Sequence, residues 1–157
     1  MTLDELRKEI DIEFEIMDKI IKELLMLNQD IAFREPTIRE KTAGSAFVAQ
    51  FYSGIENILK RIHYFKNIPI PKGENWHIEI FKRFCNPPYL SLPMLFDEEL
   101  ELLISPYRKF RHIVYHGYGF QIEWDRMREG IENIEKVYLK FKEKIEAYFT
   151  AMKNSKL

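Results

Sequence analysis

The segment from Ser105 to Gln121 concentrates the side chains of this sequence that could do chemistry. It reads SPYRKFRHIVYHGYGFQ, holds two of the four histidines, and interleaves its basic residues with three tyrosines and two phenylalanines. It contains no acidic residue, although the chain has 25 of them. This composition predicts a local site for an anionic partner. The basic residues of the segment are Arg108, Lys109, Arg111, His112 and His116.

The spacing of these residues decides which of them can act together. On an α-helix Arg108, His112 and His116 share one face, at positions i, i+4 and i+8. Arg111 and His116 are five residues apart, which is about 140° around the helix axis. They can converge only through the long side chain of Arg111, through a loosened helix end at Gly117, or across two chains.

An arginine and a histidine that converge on a phosphodiester would suit RNA cleavage. The imidazole titrates near neutral pH, so it can move the proton of the 2′-hydroxyl or of the leaving oxygen. The guanidinium is always charged and can bind a phosphate through two hydrogen bonds. This chemistry predicts a site that needs no metal and no other cofactor, with Arg108 and Lys109 as additional RNA-binding residues. The 2′-hydroxyl as nucleophile would explain a preference for RNA over DNA.

Length and composition limit the class of protein that carries this segment. The chain has 157 residues, with 24 basic and 25 acidic residues, which excludes a nucleic-acid binder that uses its whole surface. Cys85 is the single cysteine, so neither an internal disulfide nor a multi-cysteine zinc site can form. We find no signal peptide and no apolar stretch long enough to cross a membrane. These features predict one domain over residues 1–157 in a cytoplasmic protein.

The apolar residues outside the Pro and Gly clusters repeat with helical spacing. The first helix is expected from about Thr2 to Asp30, and Thr2-Leu3-Asp4-Glu5 fits a capping box. A second capping box, Thr37-Ile38-Arg39-Glu40, begins the next helix. From Trp124 to Met152 apolar residues follow a 3-4 spacing over four heptads, which is typical of a buried helical seam or a dimer seam. The pattern predicts an all-α, up-and-down bundle of four to five helices.

The middle of the chain is less regular. Residues 67–73 are expected to form a loop, and Asn75–Cys85 a short helix. A further helix should begin at Asp97-Glu98-Glu99, because acidic residues favour a helix N-terminus. Pro106 is expected to interrupt it, with Ser105 capping a second piece that ends near Gly117.

The sequence Arg111-His112-Ile113-Val114-Tyr115-His116-Gly117-Tyr118 has the R-(polar)-x3-H-x-Y form of the R-x4-6-H motif. It resembles the HEPN-domain ribonuclease toxins, and among them the HepT-like branch. The second-helix sequence FYSGIENILKRI, residues 51–62, resembles that branch as well. The resemblance covers roughly Ala43 to the carboxyl end.

The resemblance implies a specific biochemical system. Members are helical bundles that form homodimers, and the dimer brings two copies of the motif together. They cleave RNA without a metal ion. A minimal nucleotidyltransferase antitoxin keeps them inactive by transferring AMP to a tyrosine beside the site. By this resemblance Arg111 and His116 are catalytic, His112 supports the site, and Tyr118 is the AMP acceptor.

Other interpretations of the same residues remain open at this point. The chain could be a catalytically inert helical adaptor that presents a substrate to a nucleotidyltransferase. Arg111 could form an ordinary ion pair with a neighbouring helix, and His116 could stabilise a helix C-terminus. Tyr107, Phe110 and Tyr115 are expected to be packing residues, and His77 is expected to have a structural role.

Overall fold

This computed structural model describes residues 1–117 and 123–155, and within them the chain forms five α-helices, joined by loops, and no strand. Four of them are long, and α2 contacts all the other helices. The predicted all-α helical bundle is confirmed. The helices are α1 (Leu3–Asp30), α2 (Ile38–Phe65), α3 (Trp76–Lys82), α4 (Glu98–His116) and α5 (Trp124–Ser155).

Both predicted capping boxes are present and begin α1 and α2. The Thr2 hydroxyl accepts a hydrogen bond from the Glu5 backbone N–H at 3.1 Å, and the Glu5 carboxylate accepts one from the Thr2 backbone N–H at 2.8 Å. Thr37 and Glu40 form the same reciprocal pair. These bonds satisfy backbone N–H groups that a helix N-terminus otherwise leaves unpaired.

The 3-4 seam of α5 is buried within the chain. Its residues pack against α1, α2 and α4, so the seam is core and is not a surface left for a second copy. In the described ranges no helix has the length and apolar character that crossing a membrane requires. The buried seam residues are Trp124, Met127, Ile131, Ile134, Tyr138, Phe141, Ile145 and Tyr148.

The prediction that Pro106 interrupts the fourth helix is wrong, because α4 runs unbroken from Glu98 to His116. A proline inside a helix leaves the carbonyl four residues earlier without its donor, here that of Leu102. Leu102 and Pro106 are both exposed, so water can bind that carbonyl. The Ser105 hydroxyl donates to the Glu101 carbonyl at 2.7 Å and caps no new helix.

The short helix α3 is less extended than the sequence predicts. It covers Trp76–Lys82, and the expected continuation to Cys85 is a turn in which Phe84 and Cys85 donate to backbone carbonyls three residues earlier. Ile80 and Phe84 are fully buried, as expected for the inward side. Trp76 is only half-buried. The helix therefore lies across α2 at the surface of the bundle.

Two glycines allow a direct test of the helix packing. A Cβ on Gly54 in α2 would lie 2.7 Å from Met17 Cγ in α1, whereas a Cβ on Gly130 in α5 would meet nothing closer than Tyr107 at 3.8 Å. We expect Gly54→Ala to lower the free energy of unfolding by about 1–3 kcal/mol. Gly130→Ala should raise it by up to about 1 kcal/mol, since alanine favours the helix. Denaturant unfolding of both variants measures this; a destabilised Gly130→Ala together with an unchanged Gly54→Ala would contradict the packing.

Candidate functional site

Arg111 points from α4 into the bundle and is held by α2. Its Nε donates a hydrogen bond to the Ser53 hydroxyl at 2.9 Å, and its Nη2 lies 3.6 Å from Glu56 Oε1. The guanidinium carbon lies 4.6 Å from the centre of the Tyr115 ring, one helical turn further along α4. Only 18% of the Arg111 side chain is exposed. Arg111 therefore forms the ion pair with a neighbouring helix that the sequence left open, and its partner is a buried carboxylate.

Glu56 is a carboxylate inside the bundle, with 2% of its side chain exposed. Basic groups from three helices surround it. Besides Arg111, the His77 Nδ1 lies 2.8 Å from its Oε2, and the Lys60 ammonium lies 3.9 Å from its Oε1. A buried carboxylate needs such partners, because an unpaired charge in the interior is very costly. We call Ser53, Glu56, His77 and Arg111 the Glu56 cluster.

His77 completes this cluster from α3. Its Nδ1 lies 2.8 Å from Glu56 Oε2 and 3.3 Å from Arg111 Nη1. The shorter contact is to a carboxylate, which can only accept, so this geometry assigns the proton to Nδ1 as the donor. The centres of the His77 and Trp76 rings are 3.5 Å apart, and their planes make an angle of 34°. The Lys60 ammonium lies over the same tryptophan ring, 4.5 Å from its centre. The imidazole is thus fixed in position, and 31% of it remains exposed.

His116 and His112 lie on the exposed side of α4. Their rings are 4.4 Å apart, as expected for positions i and i+4. Arg111 donates a hydrogen bond to Ser53, its Nη1 only lies beside the protonated His77 Nδ1, and no hydrogen bond joins it to His116 in the described part of the chain. His116 is the last residue of α4, and Gly117 follows in extended conformation. No third metal-ligating side chain from residues 1–117 and 123–155 joins the two histidines.

The other predicted binding residues have different surroundings. Lys109 is exposed. Arg108 is half-buried, with its guanidinium 5.5 Å from the Phe81 ring and its Nε buried without a hydrogen-bond partner in the described structure. Arg108 therefore packs against the core, and Lys109 stays available at the surface. The predicted AMP acceptor, Tyr118, lies outside the described residues.

The three aromatic residues of the segment that the structure describes differ in their surroundings. Tyr107 is buried, and its hydroxyl donates to the Gly130 carbonyl at 2.6 Å. Phe110 is half-buried against the core. The packing prediction is wrong for Tyr115, which is 59% exposed. Its ring covers the Arg111 guanidinium and keeps that side chain in place.

Two nucleophilic side chains near the cluster are made unreactive by burial. Burial raises the pKa of the Cys85 thiol to about 11, so the thiol stays protonated at neutral pH. Burial, with the negative charge of Glu56, also raises the pKa of the Tyr52 hydroxyl far above its ordinary value. The described part of the site therefore offers imidazole and guanidinium groups for chemistry.

The sequence analysis did not identify Glu56, and it predicted only a structural role for His77. Glu56 lies in an apolar stretch of α2, between Tyr52, Ile55 and Leu59, all fully buried. An acidic residue at a core position of an amphipathic helix was the signal that could have indicated a buried ion pair. His77 gave no comparable signal, because its role depends on how α3 crosses α2.

Comparison with known proteins gives one match. A family model described as that of a HepT-like protein matches residues 43–152. The matched range contains every residue of the Glu56 cluster and the whole of α4. No curated protein and no solved structure matches the chain.

Proposed function

The chain belongs to the HepT-like family, and on that premise we propose that it is a metal-independent endoribonuclease and the toxin of a toxin–antitoxin pair. One observation carries the proposal. Arg111 is held by a buried carboxylate, while His116 is exposed at the end of the same helix. This arrangement offers a fixed phosphate-binding group and a nearby group for proton transfer. The proposed place of action is the cytoplasm, on RNA.

Each side chain has a distinct part in the proposed reaction. Arg111 binds the scissile phosphate and stabilises the charge that develops on it in the transition state. His116 transfers a proton to or from the reacting oxygens. His112 is exposed on the same helix and adds positive charge along the path of the RNA backbone, whereas Lys109 belongs to the α4 surface described next. The contribution of Arg108 is smaller, because its guanidinium packs on Phe81.

A homodimer is part of the proposal, and the surface of α4 supports it. Leu102, Pro106, Lys109, Ile113 and His116 follow one another at spacings of four and three residues, and all five are exposed. This is the spacing of a seam between two packed helices. Leu102 is 71% and Ile113 is 55% exposed, so the seam offers large apolar side chains that a partner could bury. A second α4 on this seam would place each His116 at the interface between the two chains.

The proposed antitoxin is a minimal nucleotidyltransferase that transfers AMP to Tyr118. The phenol oxygen would form a bond to the α-phosphorus of ATP, with pyrophosphate as the leaving group. Tyr118 lies two residues after His116, so an adenylate there would add a negative charge next to the RNA-binding surface. Repulsion between this charge and the phosphates of RNA would keep the enzyme inactive.

The inert adaptor remains the second candidate, and a specific observation favours it. The guanidinium of Arg111 already has partners in Ser53 and Glu56, which is what a purely structural arginine would also have. The exposed His116 is the feature that separates the two functions, since an adaptor has no need of an imidazole at that position. The cleavage experiment below distinguishes them.

We expect the purified chain to cleave RNA in the presence of EDTA, and His116→Ala and Arg111→Lys to lose about 10²-fold or more of the rate. Lysine keeps the charge of Arg111 but cannot make its two-point contact with a phosphate. The control is Arg39→Ala, an exposed arginine on α2, which should keep the wild-type rate. A well-folded chain that cleaves no RNA would favour the adaptor instead.

Charged substitutions on the α4 seam test the dimer. We expect Leu102→Glu and Ile113→Glu to shift the protein from dimer to monomer in light scattering, because each would bury an unpaired carboxylate in the seam. Leu139→Glu is the matched control, since Leu139 is 59% exposed on α5. A dimer that only Leu139→Glu dissociates would place the interface on α5 and contradict the proposed seam.

A further inference from the structure

His77 has the geometry of a histidine prepared for proton transfer. Its Nδ1 donates to Glu56 Oε2 at 2.8 Å, and that carboxylate is almost fully buried. A carboxylate on one ring nitrogen fixes the tautomer and leaves Nε2 unprotonated, so that Nε2 can accept a proton. The imidazolium that forms is then stabilised by the same carboxylate.

The position of His77 relative to Arg111 is the second argument. Nδ1 lies 3.3 Å from Arg111 Nη1, so the ring is next to the group that would bind the scissile phosphate. Trp76 on one side of the ring, at 3.5 Å, restricts its rotation. Because 31% of the side chain is exposed, a substrate can reach it. A general base must be within hydrogen-bonding distance of the proton that it removes, and this placement allows that.

We infer that His77 is a second catalytic residue, the general base of RNA cleavage, with Glu56 as its positioning residue. This inference rests on the proposed function and extends it. His77 Nε2 removes the proton of the 2′-hydroxyl, and the 2′-oxygen forms a bond to phosphorus. The bond from phosphorus to the 5′-oxygen breaks, and protonated His116 gives its proton to that oxygen. The products are a 2′,3′-cyclic phosphate and a 5′-hydroxyl.

The charged groups that face His77 come from two helices. Glu56 contacts the ring from α2, and Lys60 of α2 lies over the adjacent Trp76 ring. Arg111 faces it from α4. A general base must be unprotonated to act, and kcat/KM therefore rises with pH on the acidic side of the profile. A variant without His77 should lack that rise.

The first experiment compares His77→Ala with Ile78→Ala, the exposed neighbour on α3, in EDTA. We expect His77→Ala to cleave RNA about 10²-fold more slowly and to lose the acidic limb of the pH profile, with an unchanged circular dichroism spectrum. Ile78→Ala should behave as wild type. If His77→Ala cleaves at the wild-type rate, the role of His77 is overturned while the proposed function stands. If the wild-type chain cleaves no RNA, both are overturned.

A modified substrate separates the two histidines. In RNA with sulfur in place of the 5′ leaving oxygen, the thiolate leaves without needing a proton. We expect this substrate to restore the rate of His116→Ala and to leave His77→Ala impaired. Restoration of His77→Ala instead would make His77 the acid and contradict the assignment.

The tautomer gives a readout that does not depend on activity. At alkaline pH, ¹⁵N NMR of the wild-type chain should show His77 protonated at Nδ1. Glu56→Met, which removes the acceptor with little change in volume, should abolish that preference. A wild-type His77 protonated at Nε2 would overturn the inference, because that nitrogen could not act as the base.

Discussion

The negative charge of one buried carboxylate, Glu56, has to be compensated. This requirement determines how α3 and α4 pack against α2. Glu56 is 2% exposed, and a charge so placed costs several kcal/mol unless other groups compensate it. Compensation comes from Arg111 of α4 and His77 of α3. Because these residues belong to helices far apart in the sequence, the requirement fixes α3 and α4 against α2. The fold and the candidate site therefore depend on the same interaction.

The same pairing gives the two motif residues different surroundings. Arg111 is held from one side by Ser53 and Glu56 and covered by the Tyr115 ring, so little ordering is needed when a phosphate binds. Among the described residues none supports His116 in this way, and it lies at the last position of α4. In the proposed enzyme the anion-binding group is preorganised, and the proton-transfer group can adjust to the substrate. A partner chain on the α4 seam would then define the surroundings of His116.

The sequence was sufficient to predict those features that depend on residues close to one another along the chain. Capping boxes at Thr2 and Thr37 involve partners three residues away, and the core seam of α5 repeats within one helix. Pro106 was misjudged because a local rule predicts a break, whereas exposure of the unpaired Leu102 carbonyl to water and packing of Tyr107 keep α4 continuous. The pairing of Glu56 with His77 spans 21 residues and a loop, so it depends on tertiary geometry. Spacing alone could not reveal it.

The chemical nature of the cleaved ends tests the central claim most directly. RNA should be incubated with the purified chain in EDTA, and the ends identified by mass spectrometry. Attack by the 2′-hydroxyl predicts a 2′,3′-cyclic phosphate and a 5′-hydroxyl, and no cut where the 2′-hydroxyl is replaced by hydrogen. Products with a 5′-phosphate, formed only when Mg²⁺ is supplied, would contradict a metal-independent arginine–histidine site.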